Sequence, residues 1–168
     1  MKRILKISSL FLLFFALASQ VQAQKFGYIN SAEILANFPE VKQAEANLEA
    51  LQKQLTKKGQ GMVETLQKDY TAIQQKEERG ELSPVQQEQE AKKLQEEQAR
   101  IAKFEQDMVK QIQDKREELL KPIYEKVNQA IETVAKEGGY QFIFDKGVLL
   151  YFDEGMDVSA KVKAKLGM

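Results

Sequence analysis

The side chains that could do chemistry in this chain are mainly carboxylates and lysines. The 168 residues include 25 acidic and 25 basic residues but no histidine and no cysteine. The commonest general base and metal ligand is therefore missing, and thiol or disulfide chemistry is excluded. The carboxylates fall in sequence typical of exposed helices, where nothing would desolvate them or shift their pKa values. We predict no catalytic residue and expect a protein that is not an enzyme.

Two short motifs resemble ligand sites without meeting their requirements. Gly59-Gln60-Gly61 lacks the preceding strand and the Gly-Lys-Ser/Thr ending of a phosphate-binding loop. Asp153, Glu154 and Asp157 offer oxygen ligands but lack the spacing of a calcium-binding loop, which favours a turn followed by a helix cap. No strongly basic face stands out, so nucleic-acid binding is not expected. The sequence therefore predicts neither a cofactor nor a metal.

Apolar contact is the remaining chemistry, and four side chains in the middle of the chain are candidates for it. Methionine is adaptable and suits promiscuous binding surfaces, and aromatic residues beside it add contact area. The alternative is that these side chains pack the seam between two helices. The candidates are Met62, Tyr70, Phe104 and Met108.

A second apolar group lies near the two ends of the chain and is predicted to form an oligomer interface. The segments that contain it are too short to bury all of its side chains within one chain. The alternative is an ordinary core within one chain. The predicted interface residues are Phe26, Tyr28, Ile29, Phe142, Phe144, Leu149 and Tyr151.

Residues 39–119 are predicted to form a helical hairpin that positions the first group. Val41, Ala44, Leu48, Leu51 and Leu55 follow the 3-4 spacing of a coiled-coil seam. Residues 80–84 mark the tip, because they combine a glycine C-cap with a Ser-Pro start and a capping-box glutamine. An arm of about 40 residues would reach roughly 60 Å, so we expect it to project.

Three positions within these helices are predicted hinges. Gly59 and Gly61 sit where the apolar register slips, and each costs a helix about 1 kcal/mol relative to alanine. Pro122 denies a hydrogen bond to the carbonyl of Glu118 and predicts a kink.

Residues 24–38 and 120–168 are predicted to form a small α/β body. One strand is expected over residues 25–29 and two more over 140–144 and 148–152, followed by a short C-terminal helix. The segment 148–152 is apolar on both faces and is predicted to be a buried central strand. The fold class is α+β, mostly α: a hairpin attached to a small sheet-and-helix body whose edges join between copies.

Residues 1–23 have the pattern of a signal peptide. A basic start precedes an apolar run too short for a comfortable membrane span, and Val21-Gln22-Ala23 is a typical cleavage site. Cleavage after Ala23 would remove three basic residues and leave a net charge of about −3. We therefore expect an exported protein whose first mature residue is Gln24.

The order of these elements resembles the Skp/OmpH family of periplasmic chaperones. The resemblance covers the predicted mature chain and rests on Tyr28-Ile29-Asn30-Ser31, on Leu119-Leu120-Lys121-Pro122-Ile123-Tyr124-Glu125-Lys126-Val127 and on Leu149-Leu150-Tyr151. It implies a homotrimer whose arms enclose unfolded outer-membrane β-barrel proteins without using ATP. It also implies transient contact with the membrane surface, although the arms of this chain are near neutral where family members are often basic. The alternative is a structural or adaptor coiled coil of the envelope that binds one folded partner.

Overall fold

The computed structural model describes residues 24–168, which divide into two compact units. The terminal unit consists of residues 24–31 and 129–168, and the hairpin unit consists of residues 32–128. The predicted signal peptide lies outside the described residues. Among the helices described, none is long and apolar enough to cross a membrane.

The hairpin unit is built from three helices. Helix α1 spans Ser31–Asn37, α2 spans Pro39–Glu78, and α3 spans Pro84–Gly138 and continues into the terminal unit. Pro39 occupies the start of α2, as predicted, where its missing N–H leaves no hydrogen bond unmade. Beside it, Glu40 forms an ion pair with Lys126 of α3.

The turn between α2 and α3 confirms the predicted tip. Gly80 adopts a left-handed backbone with φ of 70°, which a side chain would strain. The backbone N–H of Ser83 donates to Gln86 Oε1 at 2.9 Å, and the N–H of Gln86 donates to Ser83 Oγ at 3.4 Å. This reciprocal pair is a capping box, and α3 begins at Pro84 inside it.

The seam between α2 and α3 is buried at the end far from the tip and becomes shallower towards it. Leu66, Ile73 and Leu94, which are closer to the tip, are only half-buried. Gly59, Gly61 and Pro122 lie inside helices that run unbroken through them, so their hinge role stays a prediction. The buried seam residues are Val41, Ala44, Leu48, Leu55, Ile101, Ile123 and Val127.

The terminal unit contains a parallel two-stranded sheet. Strand β1 spans Phe26–Ile29 and strand β2 spans Phe142–Asp145, with Phe26 opposite Phe142 and Tyr28 opposite Phe144. On its other edge β1 forms a single bridge between Tyr28 and Asp157, where the N–H of Val158 donates to the Tyr28 carbonyl at 2.9 Å. Strand β1 is therefore hydrogen-bonded on both of its edges.

The predicted central strand over residues 148–152 is wrong, and so is the three-stranded sheet. A 3₁₀ turn at Lys146–Val148 includes the first residue of this segment, and another at Glu154–Met156 follows it. Asp145 and Asp153 each accept a hydrogen bond from the glycine N–H two residues later, at 2.8 Å. These Asp-x-Gly turns bend the chain, so the segment between them forms an exposed loop within its own chain.

Helix α4 spans Ser159–Lys165, where the sequence predicted a short C-terminal helix. Val158, Val162 and Leu166 are buried on one side of it, together with Val134 and Ala130 of α3. The hydroxyl of Ser159 accepts a hydrogen bond from the Asn30 N–H at 2.9 Å, which links α4 to the end of β1. Gly139, with φ of 66°, ends α3 before the chain turns into β2.

Candidate interaction surfaces

An exposed aromatic cluster lies on the sheet of the terminal unit. The rings of Phe26 and Phe142 are stacked with centroids 5.9 Å apart, and Phe142 and Phe144 are stacked at 6.0 Å. The parallel register explains the grouping, because it sets Phe26 directly opposite Phe142 while Phe144 follows two residues along the same face. All three remain exposed, and Phe142 shows 55% of its surface. We call these three residues the aromatic cluster.

The loop that replaces the predicted strand is also apolar and exposed. Leu150 is fully exposed, Tyr151 is 86% exposed and Val148 is 74% exposed. Leu149 is half-buried. Exposed side chains of this size on successive residues are unusual in a chain that acts alone. We call residues 148–151 the apolar loop.

Two of the predicted interface residues lie inside the chain instead. Tyr28 is 3% exposed and Ile29 is 4% exposed. The ring of Tyr28 packs against Phe152 with centroids 5.0 Å apart. Burial raises the pKa of the Tyr28 phenol, and the negative charges of Asp157, Glu154 and Asp153 raise it further. We therefore remove Tyr28 and Ile29 from the proposed interface and keep the aromatic cluster, Leu149 and Tyr151.

On the hairpin unit, the structure brings together two of the four candidate contact residues. Phe104 and Met108 line a groove of about 570 Å³ between α2 and α3, which also includes Gly59, Val63 and Ile101. The Phe104 ring lies against Gly59, where an added Cβ would stand 3.3 Å from it. Both side chains are half-buried. They therefore contribute to the seam and also border an open groove.

The other two candidates differ in exposure. Met62 is half-buried, whereas Tyr70 is exposed on α2. Three exposed valines were missed by the sequence reasoning, which considered only large or flexible side chains. Val63 could have been found, because it lies seven residues before Tyr70 and so falls on the same side of α2. The missed residues are Val63, Val85 and Val109, each with at least half its surface exposed.

A cationic cluster lies in the terminal unit beside the end of α3. The Lys25 ammonium lies 4.4 Å from the centroid of the Tyr140 ring, and the Lys161 ammonium donates to the Tyr140 hydroxyl at 3.1 Å. The Lys161 hydrogen bond and the charges of both lysines lower the pKa of the Tyr140 phenol. Sequence reasoning missed this cluster, because the three residues come from three distant segments.

A carboxylate holds together the junction between β2 and the start of α1. Asp145 Oδ2 accepts a hydrogen bond from the Ser31 N–H at 3.2 Å, and its Oδ1 accepts the Gly147 N–H. Hydrogen bonds from Ser31 and Gly147 lower the pKa of Asp145. Among residues 24–168, no group of three acidic, histidine or cysteine side chains could hold a metal ion. The Asp153, Glu154 and Asp157 segment forms the turn that the sequence predicted.

Comparison with known proteins places this fold in a family. The sequence model of the family described as outer membrane protein (OmpH-like) matches residues 25–166. The search of curated proteins found no match. A crystal structure from Caulobacter crescentus CB15, described as a candidate OmpH-like outer membrane chaperone, is similar with a TM-score of 0.76. It is 19% identical, and the similarity covers 85% of this chain and 83% of that one. The family match spans nearly all of the described residues, and this chain therefore belongs to the OmpH-like outer membrane protein family.

Proposed function

We propose that this protein is a periplasmic holdase chaperone that binds unfolded outer-membrane β-barrel proteins and prevents their aggregation without ATP. Membership of the OmpH-like family supports a chaperone role. The similar Caulobacter protein, described as a candidate outer membrane chaperone, supports the same class. A signal peptide cleaved after Ala23 would bring the protein to the periplasm.

The observation that carries this proposal is the surface of the hairpin unit. Exposed apolar side chains are spread singly along α2 and α3, at Val63, Tyr70, Val85 and Val109, among charged residues. Such a surface offers many weak apolar contacts. Contacts of this kind retain a flexible chain strongly in sum while each one releases readily. A client that folds into a membrane is then lost by mass action, so release needs no nucleotide.

Self-association completes the proposed mechanism. We propose a homotrimer in which a body of residues 24–38 and 120–168 joins the three chains and arms of residues 39–119 surround the client. The aromatic cluster and the apolar loop would supply the shared surface, since each chain leaves them exposed. Burying such side chains between copies is favourable by roughly 25 cal/mol for each Å² removed from water. Contact with the membrane surface would be transient, and no nucleic-acid partner is proposed.

The direct test is suppression of aggregation. Urea-denatured β-barrel protein is diluted into buffer with the chaperone at equal concentration, and light scattering follows aggregation. We expect the wild-type protein to suppress scattering and the quadruple variant with serine at Val63, Tyr70, Val85 and Val109 to suppress it less. A matched variant with serine replacing exposed Gln52, Gln54, Gln67 and Gln87 controls for general surface change.

A specific adaptor would give a different result. The groove at Phe104 and Met108 is the feature that favours this second reading, because it is a defined apolar site. An adaptor would bind one folded partner and give no protection to denatured chains.

Shortening both arms around Gly80 separates the holdase from the adaptor further. If the protein is a holdase, the short-armed variant should keep its oligomeric state and retain clients less well. Loss of the oligomer in that variant would contradict the proposed division into body and arm.

A further inference from the structure

We propose that Lys25, Tyr140 and Lys161 form a binding site for a phosphate-type oxyanion on the terminal unit. This inference goes beyond the holdase function and does not depend on it. The three residues come from the start of the described chain, the turn after α3 and helix α4, and only the fold brings them together.

The first argument is uncompensated charge. The two ammonium groups lie 4.4 Å and 5.5 Å from the centroid of the same Tyr140 ring. Among the described residues, neither lysine has a carboxylate within ion-pair distance. Their hydrogen-bond partners are neutral, since Lys25 donates to the Gly138 carbonyl at 2.8 Å and Lys161 donates to the Tyr140 hydroxyl. Two nearby positive charges without an anion repel each other, and a bound dianion would remove that repulsion.

The second argument is the supply of donors. An ammonium group has three N–H donors, and each of these lysines uses one in the contacts described. The Tyr140 hydroxyl accepts from Lys161, which leaves its own proton free to donate. Both lysines therefore bring unused N–H donors to the Tyr140 side chain, which adds an O–H donor of its own. Phosphate, with several acceptor oxygens and a charge near −2, matches this set better than a single carboxylate does.

The third argument is rigidity. An added Cβ at Gly138 would lie only 2.2 Å from the Tyr140 ring, and one at Gly27 would lie 3.3 Å from it, so the ring fits closely against both glycines. A groove of about 370 Å³ lies beside Lys161, between the end of α3 and α4. Glu137 lines that groove, but Lys165 pairs with it at 2.7 Å and offsets its charge. The Tyr140 ring is thus held in place by Gly138 and Gly27, and of the three site residues Lys161 lines the groove.

Titration of the mature protein with inorganic phosphate, followed by amide NMR shifts, tests the site. We expect saturable shifts at Tyr140 and Lys161, and an affinity lowered about tenfold in Lys25→Gln or Lys161→Gln, the equivalent of one charge-assisted hydrogen bond. Tyr140→Phe keeps the ring and removes only the hydroxyl, so its affinity for phosphate should fall less. Lys53→Gln, which removes an exposed lysine paired with Glu49 on α2, should leave the affinity unchanged. Equal weakening by Lys53→Gln, or shifts that do not saturate, would overturn the proposal.

Two further experiments complete the test. Lys25→Arg and Lys161→Arg keep the charge, so they should retain binding even if a glutamine variant is poorly folded, and loss of binding in folded arginine variants would count against the site. Vesicles of phosphatidylcholine with and without phosphatidylglycerol separate the sources of the phosphate. Vesicle binding that depends on both lysines would identify a lipid headgroup, whereas binding of free phosphate alone would identify a soluble anion. Aggregation suppression should be unchanged in every variant, which keeps failure of this site distinct from failure of the holdase function.

Discussion

At the scale of single residues, Tyr140 and Gly138 depend on each other. A Cβ at position 138 would overlap the Tyr140 ring at 2.2 Å, whereas a Cβ at Gly61, inside α2, meets nothing within 4 Å. We predict that Gly138→Ala lowers the free energy of unfolding by about 1–3 kcal/mol through overpacking. Gly61→Ala, the matched control, should raise it by up to about 1 kcal/mol because it removes a helix-interior glycine. Urea denaturation measures both, and equal effects would show that Tyr140 moves aside freely.

Asp145 makes the stability of the terminal unit sensitive to acid. Its pKa is lowered in the folded state, so the folded carboxyl binds a proton more weakly than the unfolded one and stability rises with pH. The contribution is present at neutral pH and is lost as the pH falls through the ordinary aspartate value of 3.8 and below. We predict that, as the pH is lowered from about 6 to about 3, the free energy of unfolding falls less steeply in Asp145→Asn than in wild type.

The effect of Asp145 is the difference between the wild-type and Asp145→Asn curves of unfolding free energy against pH. The pKa values of Glu49 and Glu132 are also lowered, by hydrogen bonds from Lys53 and Lys136, so other carboxylates add acid sensitivity of the same sign. Subtracting the Asp145→Asn curve from the wild-type curve isolates Asp145. Parallel curves would mean that the bonds to Ser31 and Gly147 do not favour the ionised form.

At the scale of elements, the hairpin tip depends on its capping box. Ser83→Ala removes the side-chain oxygen that accepts the Gln86 N–H and should destabilise the start of α3 by about 1 kcal/mol. Amide hydrogen exchange over residues 84–90 should then become about fivefold faster, while exchange near Ile123 stays unchanged. Thr71→Ala, which removes an exposed hydroxyl bonded within α2, is the control. Unchanged exchange at the tip would contradict the role of the box.

The elements that the sequence predicted well are those with local causes. Pro39 starts α2, Gly80 and Ser83 shape the tip, and the paired glycines at 138 and 139 end α3, each through the conformation of one or two neighbouring residues. The strand expected over residues 148–152 failed because strand formation needs a pairing partner that apolar composition does not supply. The two Asp-x-Gly turns around it were visible, but their effect on the segment between them was underestimated.

The candidate surfaces were predictable only in part for the same reason. Phe142 and Phe144 could be assigned to one face from their spacing, and both lie in the exposed cluster. Tyr28 lies two residues after Phe26 and so on the same face of β1, yet Phe152 packs against it. No local sequence pattern predicts that contact. The cationic cluster around Tyr140 was invisible in the sequence, because Lys25 meets Tyr140 only when distant segments pair.

At the scale of the whole molecule, the aromatic cluster makes the oligomeric state testable. We predict a mass in solution three times that of one mature chain, measured by light scattering. Phe142→Ser should lower the average mass, because it removes the most exposed ring of the aromatic cluster. Val85→Ser, which removes an even more exposed apolar side chain from the hairpin unit, should leave the mass unchanged. A wild-type protein with the mass of a single chain would refute the trimer, and equal losses in both variants would refute its location.

The parallel pairing of β1 with β2 has a consequence for chains that are still being made. The pairing joins segments 116 positions apart, as at Lys25 and Gln141, and the bridge at Asp157 comes later still. Translation delivers Phe26–Ile29 first, so this apolar strand waits with both edges open until almost the entire polypeptide has been produced. In an unfinished chain the backbone N–H and C=O groups of β1 are therefore unpaired, and they become paired only after β2 and Asp157 have been made.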